Sequence, residues 1–366
     1  MIKNVDNKTS VERDFGSLYN RLGYKLFKMS RFEEYSLYAE NRSFLVCDRV
    51  ITFNDPAGRL MALKPDVTLS IAKNCRDDGD LQKVYYNENV YRIDEGNGEF
   101  REIMQSGLEC MGELDLYSVC EVLMLAARSL ELISPKCVLD ISHMGIISAV
   151  IDDAELSSGN AEKALGYFAS KNAHGLRALY AECGVSEEKA EAAAALARIY
   201  GKADGVFLQL EKILPETARP ALDELKDVYS LLCEMGAADK IRFDFSIVND
   251  SGYYNGLVFR GFVDRIPRTV LSGGRYDNLL SKFGKKAKAI GFAIYLDALE
   301  ELEDKNEWDV DTLLLYDGSS TAEQLVRTVK MLTDLGESVR CAREIPDGLR
   351  YRKMKKLDKG VICDVE

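Results

Sequence analysis

Four segments of this chain concentrate residue types suited to acid–base or ion-recognition chemistry. In 58–73, GRLMALKPDVTLSIAK, a strand-like run delivers Pro65-Asp66-Val67-Thr68 to the start of a helix. In 90–112, VYRIDEGNGEFREIMQSGLECMG, Arg92 closes one strand, and Gln105, Gly107 and Glu109 share a face of the next because strand side chains alternate. SGYYNGLVFRGF at 251–262 sets Tyr253 and Tyr254 ahead of a further strand, and SGGRYDNLLSKFG at 272–284 carries Tyr276 in a turn before a helix. The only histidines are His143 and His174, so proton transfer would fall mainly on carboxylates, tyrosines or lysines. Nine scattered cysteines without a CxxC pair read as reduced thiols and argue against structural zinc, so no metal and no cofactor is expected.

Those residues need a framework, and the hydrophobic pattern supplies one. Thr9 or Ser10 is a candidate cap for a first helix running through Phe15, Leu18, Tyr19 and Leu22 to Gly23, and Tyr24 to Met29 alternates like a strand. Residues 50–63 form two alternating runs around Asp55-Pro56-Ala57-Gly58, a hairpin signal. Residues 83–92 and 100–112 read as paired strands, 116–133 as an amphipathic helix, and 137–142 as a buried strand. From 145 to about 238, Ala-rich segments such as SEEKAEAAAALARIY read as an all-helical insertion. Strand character returns at 240–248, 253–263, 268–274 and 289–294, with helices at 276–283 and in YLDALEELED. The last stretch reads strand, helix, strand and final strand. Its basic run Arg350, Arg352, Lys353, Lys355 and Lys356 is taken as a solvated helix face with Tyr351 and Met354 beneath.

The fold class this implies is α/β (α+β): a mixed, mostly antiparallel sheet flanked by helices, with a core over 1–306 and a short tail over 307–366. At roughly 150 residues per domain, 366 residues suit about two units. A net charge of −12 leans against broad contact with nucleic acid, which Lys and Arg drive. No apolar run approaches a membrane span and no leader is evident, so a cytoplasmic protein is expected.

Taken together, GRLMALKPDVT, FRE…Q…E, YYNG.VF and GGRYD resemble the catalytic core of histidyl-tRNA synthetase, a class II aminoacyl-tRNA synthetase, over residues 5 to 303. The resemblance implies an amino-acid pocket. Asp66, Thr68, Gln105 and Glu109 would face the amino acid, Arg92 a carboxylate or phosphate, and Tyr253, Tyr254 and Tyr276 the ring side. The chemistry is reasonable, since an ammonium wants carboxylates and hydroxyls, an imidazole N–H a carboxylate or phenol, and an anion an Arg.

The departures fall on the ATP side. The synthetase motif 3 reads like GFAIGLERL; this chain has GFAIYLDAL, placing Tyr295 at the Gly, Asp297 at the Glu and Ala298 at the Arg. Asn249 stands at a second Arg position, Glu95 and Glu99 replace Arg in the motif 2 loop, and Ser30 replaces the motif 1 Pro. Loss of one electrostatic clamp commonly costs about 10²–10³ in rate. This pattern resembles the HisZ family, histidyl-tRNA synthetase-like regulatory subunits of ATP phosphoribosyltransferase. That resemblance implies a non-catalytic, hetero-oligomeric role in histidine biosynthesis and its feedback control. The expected partners are a short-form catalytic subunit, a second copy of this chain, and histidine as effector, with no nucleic acid and no membrane. The tail would be a truncated anticodon-binding remnant.

Plainer readings stand beside these. Tyr253 and Tyr254 suit core aromatics on a strand, Gln105 and Glu109 a solvated strand face, Arg92 a partner for Asp94, and Asp66 a helix cap. Gly273-Gly274 suits a simple turn. An active histidine–tRNA ligase, or another class II-derived adenylating enzyme, is the alternative function; the first needs Arg near 298 and 249.

Overall fold

The computed structural model describes residues 6–42, 45, 49–94, 96–248, 253–301 and 308–365. Two compact units divide the chain, Met1–Glu300 and Glu301–Glu366.

The first unit is built on a nine-stranded sheet. In chain order its strands are β1 (Lys25–Leu26), β5 (Gln82–Ile93), β6 (Phe100–Gly112), β7 (Cys137–His143), β8 (Tyr200–Gly201), β9 (Ile241–Asp244), β10 (Leu257–Val263), β11 (Leu271–Arg275) and β12 (Lys288–Tyr295). The spatial order is β1-β5-β6-β12-β11-β10-β7-β9-β8, antiparallel except at β1–β5 and β7–β9. A small second sheet orders β2 (Phe32–Glu34), β4 (Leu60–Leu63) and β3 (Thr52–Asn54), the last two forming the expected hairpin. In its turn Asp55 Oδ1 accepts from Ala57 N and Arg59 N, both at 2.9 Å, and Gly58 takes φ +80°, the left-handed conformation glycine tolerates.

The two sheet faces have different fates. Leu108, Phe292 and Phe259 share one face in register, and Tyr19 of α1 (Asp6–Asn20) meets Phe292 on that side with ring centroids 6.2 Å apart. Tyr19 also bonds Ser129 of α4 (Leu116–Ile133) at 2.8 Å, tying the backing helices together. Asp115 caps α4 by accepting from Ser118 N at 2.8 Å. The opposite face carries Gln105, Gly107 and Glu109 and is covered by α3 (Thr68–Asn74), α11 (Asp277–Lys282) and the segment holding Tyr253 and Tyr254.

The insertion holds six α-helices, α5 (Met144–Asp153), α6 (Ser158–Ala169), α7 (Ala173–Glu182), α8 (Glu187–Leu196), α9 (Ala203–Ile213) and α10 (Arg219–Glu234), and is not all-helical as expected, because β8 lies within it and pairs with β9. Ser186 caps α8 with Glu187 and Glu188 in its first turn, where the helix dipole favours acids. The insertion is pinned to the sheet by Glu224 of α10, 3.3 Å from His143 Nε2 and 3.5 Å from Arg275.

Several expectations are corrected. The first helix begins at Asp6, before Thr9. Of Tyr24 to Met29 only Lys25–Leu26 pairs as strand. β2 and α2 (Tyr35–Glu40) were not expected from the pattern. YLDALEELED contributes a 3-10 turn over Leu296–Glu301 rather than an α-helix.

The largest correction lies in the tail, with strands β13 (Val310–Tyr316), β14 (Val339–Ala342), β15 (Tyr351–Asp358) and β16 (Val361–Val365), plus α12 (Ala322–Asp334). Its sheet runs β14-β13-β15-β16, so the basic run is an interior strand and the tail has four strands, not three. Each cation of that run meets an acid: Arg350 with Asp309 at 2.8 Å, Arg352 with Asp311 at 3.3 Å, Lys353 with Glu337 at 2.5 Å, Lys355 with Asp364, and Lys356 with Asp317 at 3.3 Å. Exposed pairs of this kind stabilise by only about 0–1 kcal/mol, but they neutralise the run. Among the described residues no helix is long and apolar enough to cross a membrane.

Candidate functional site

The polar face of the nine-stranded sheet is unusual in what it lacks. Register places Glu109, Gly291 and Gly274 in one row across β6, β12 and β11, and Gly107, Ala293 and Ser272 in the next. The glycines leave room for side chains to lie flat on the sheet. A Cβ on Gly291 would sit 1.7 Å from Glu109 Oε2, one on Gly107 2.5 Å from the Tyr86 hydroxyl, and one on Gly274 2.6 Å from the Tyr254 ring.

Asp66 and Thr68 reach this floor from the corner between β4 and α3. Tyr91 N donates to Lys64 O at 2.9 Å and Arg92 Nε to Pro65 O at 3.0 Å, fixing the corner against β5. Lys64 itself is fully buried and paired with Glu88 at 2.5 Å. Asp66 Oδ1 accepts from Leu69 N at 2.9 Å, so the plainer capping role is real and coexists with a place in the cavity wall. Arg92 is not paired with Asp94, whose ion-pair partner is Arg101 at 2.7 Å.

Glu109 is the centre of the arrangement. It is buried, not a solvated strand face. Oε1 accepts from Thr68 Oγ1 at 2.8 Å and Oε2 from the Tyr276 hydroxyl at 2.5 Å. Burial pushes its carboxyl up to about 8, opposed by the Tyr276 and Thr68 hydrogen bonds and assisted by the Asp66 charge. Burial likewise raises Asp66. Tyr253 and Tyr254 precede β10 in irregular chain rather than on a strand, with rings crossing at 88° and centroids 4.7 Å apart; Tyr253 lies 5.7 Å from Tyr276. Burial holds the hydroxyls of Tyr86, Tyr253, Tyr254 and Tyr276 above the ordinary phenol range, which keeps them neutral donors.

All eight residues singled out in the sequence (Asp66, Thr68, Arg92, Gln105, Glu109, Tyr253, Tyr254 and Tyr276) line one cavity of about 520 Å³. That volume is in the usual range for a small-molecule site, roughly 300–1,000 Å³. Two acids and several neutral phenols at one end, with Arg92 nearby, suit a ligand carrying both an ammonium and an anionic group. Sequence reasoning missed Tyr86 and Arg260, which also line the cavity. Strand alternation was the available signal: Tyr86 pairs in register with Gly107, and Arg260 lies two residues beyond Val258 on the same face.

The substituted positions fall in different surroundings. Tyr295, at the end of β12, bonds Ser272 Oγ through its hydroxyl at 2.7 Å and fills space beside the cavity. Ala298 is fully buried, and Asp297 pairs with Arg268 at 3.3 Å. Glu99 is exposed and accepts from Asn97 Nδ2 at 2.9 Å; Ser30 accepts from Phe32 N at 3.3 Å. Glu95 and Asn249 lie outside the described residues. Among the described residues no group of three or more His, Cys, Asp or Glu could hold a metal ion.

The profile of the histidyl-tRNA synthetase family matches residues 3–299. The ATP phosphoribosyltransferase regulatory subunit of Thermoanaerobacter pseudethanolicus is 30% identical over 298 residues, 79% of this chain and 77% of the relative. A solved ATP phosphoribosyltransferase regulatory subunit/histidyl-tRNA synthetase from Bacillus halodurans has the same fold. Its TM-score is 0.75 at 24% identity, covering 97% of this chain and 96% of the other. A chain of the ATP phosphoribosyltransferase HisG:HisZ complex of Thermotoga maritima also shares the fold. There the TM-score is 0.62 at 20% identity, covering 80% of this chain and 98% of the other.

Proposed function

The chain belongs to the histidyl-tRNA synthetase family, in its branch of ATP phosphoribosyltransferase regulatory subunits, and from that premise we propose that it acts as such a subunit. It carries no catalysis of its own. It pairs with a short-form ATP phosphoribosyltransferase catalytic subunit, which depends on it in the first step of histidine biosynthesis and in feedback by histidine.

One contrast within one cavity carries this reading. The acid-and-phenol end remains furnished, with Glu109 held by Thr68 and Tyr276, while Tyr295 lines the cavity where the synthetase pattern has Gly, and Ala298, at its Arg position, is buried in the core outside the cavity lining. A triphosphate would meet no motif 3 guanidinium there. Histidine, in this reading, occupies the furnished end. It acts because the active and inhibited states of the complex bind it with different affinity, the only way a ligand shifts an equilibrium. Self-association through the first unit, a cytoplasmic location, and a tail that reads no anticodon belong to the same proposal. The ion-paired basic strand β15 supports the last point.

The test is direct. The purified chain is assayed for histidine-dependent ATP–pyrophosphate exchange, then added to a short ATP phosphoribosyltransferase catalytic subunit with and without histidine. No exchange, activation of the catalytic subunit, and histidine inhibition of the pair are expected. Robust exchange by the chain alone would establish an adenylating enzyme instead.

A further inference from the structure

The cavity wall contains a cation that the described residues leave unneutralised. Arg260 on β10 lines the cavity and is exposed, and among the described residues no hydrogen bond or ion pair holds its guanidinium. Its neighbours differ in this respect. Arg275 on the adjacent strand is held by Asp277 at 2.9 Å and Glu224 at 3.5 Å, and Arg268 by Asp297 at 3.3 Å.

One candidate for neutralising Arg260 is Asp140, its register partner on β7. Asp140 does not close on it. The carboxylate is buried and its Oδ1 has no hydrogen-bond partner. Burial, together with the charge of Asp244, pushes the Asp140 carboxyl up to about 6. The guanidinium, as a planar fork of donors, suits a carboxylate.

Arg260 stands across the cavity from the acids. The Glu109 carboxylate rests over Gly291 on β12, and β10 lies two strands further, roughly 10 Å at ordinary strand spacing. The Tyr254 ring lies between them on Gly274, and the Arg260 charge reaches its hydroxyl. An extended Arg side chain is long enough to cover much of that interval. What remains suits a small zwitterion with its positive end toward Asp66 and Glu109 and its negative end toward Arg260. At position 249, where the synthetase pattern carries an Arg, this sequence has Asn.

We propose that Arg260 anchors the carboxylate of the amino acid held in this cavity, replacing from a strand the cation absent at position 249, so that the site selects free α-amino acids over the corresponding amines. The inference rests on the pocket reading given above.

The experiment titrates histidine and histamine, which lacks the carboxylate, into the full-length chain by calorimetry. Wild type is compared with Arg260→Gln, Arg260→Lys and Glu109→Gln. Because Arg260 is exposed and unpaired, the Gln variant should fold normally, which its melting curve checks. Arg260→Gln should weaken histidine by about tenfold or more, as loss of a charge-assisted pair implies, and leave histamine unchanged. Arg260→Lys should recover part of the loss. Unchanged histidine affinity in Arg260→Gln, with affinity lost in Glu109→Gln, overturns the role of Arg260 and leaves the pocket reading standing. Absence of histidine binding to wild type overturns both.

Discussion

Tyr276 donates its hydroxyl to Glu109 Oε2 at 2.5 Å, joining side chains 167 residues apart in the sequence. The bond closes the cavity floor, because Glu109 is simultaneously held at Oε1 by Thr68. Among the described residues no cation pairs with this buried acid, so a ligand's positive end would be its first counter-charge and would favour its ionised form.

Glu109 should make stability depend on pH in a direction opposite to most acids. Its folded-state carboxyl titrates at about 8, above the ordinary 4.5, so between those values the folded chain binds more protons than the unfolded one. Its contribution is therefore fully present below about pH 4.5 and is lost as pH rises through 8. Glu109→Gln removes that slope. Relative to wild type the variant should gain stability from pH 5 to pH 8, by on the order of 1–3 kcal/mol, read from urea denaturation across the range. Parallel pH profiles would show that Glu109 titrates normally.

Tyr276→Phe tests the bond itself. Removing one of two donors to a buried acid should cost about 1–2 kcal/mol at neutral pH. It should also push the Glu109 transition higher, because the Tyr276 hydrogen bond is the largest effect opposing burial there. The two readouts separate a packing loss from an electrostatic one. Phe keeps the ring, so a loss confined to stability with an unmoved pH profile would count against the hydrogen bond.

Much of this floor was legible in the sequence because strand alternation is local. Gln105, Gly107 and Glu109 fall on one face of β6 whatever the tertiary context. That eight residues from four segments line one cavity came from resemblance, since register between β6, β12 and β11 is a long-range property. The tail misled for a physical reason. Tyr351 to Asp358 alternates apolar and basic residues imperfectly, and its charges are tolerated in an interior strand only because acids on β13, β16 and the flanking segments meet them. Those acids cannot be paired with the run from spacing alone. Alternation puts Arg260 on the face of Val258, but which face of β10 meets the cavity depends on its long-range pairing with β11.

Gly291→Ala should be far more damaging than a single methyl suggests. The added Cβ would lie 1.7 Å from Glu109 Oε2 and 2.5 Å from the Leu108 carbonyl, and that backbone oxygen belongs to a paired strand that cannot retreat. Glu109 would have to swing off the floor, breaking its bonds to Thr68 and Tyr276 together. The expected loss is about 2–3 kcal/mol of stability with ligand binding abolished, measured by denaturation and calorimetry. Gly159→Ala, with no atom within 4 Å of the new Cβ, is the matched control and should be near neutral.

Ala298→Arg asks whether synthetase chemistry is one substitution away. Ala298 is fully buried in the 3-10 turn that follows β12, three residues after a Tyr295 whose hydroxyl is bonded to Ser272. A guanidinium introduced there must either stay in the core unpaired or displace its neighbours; the acid next to it in the sequence, Asp297, already pairs with Arg268. An uncompensated buried charge typically costs about 3–5 kcal/mol, so the variant should melt well below wild type. It should show no ATP–pyrophosphate exchange even where folded, and adding Tyr295→Gly should relieve the steric part without restoring exchange, because position 249 remains Asn. Exchange appearing in the double variant would mean that the nucleotide side had lost only its motif 3 side chains, and that the remaining cavity still positions a triphosphate.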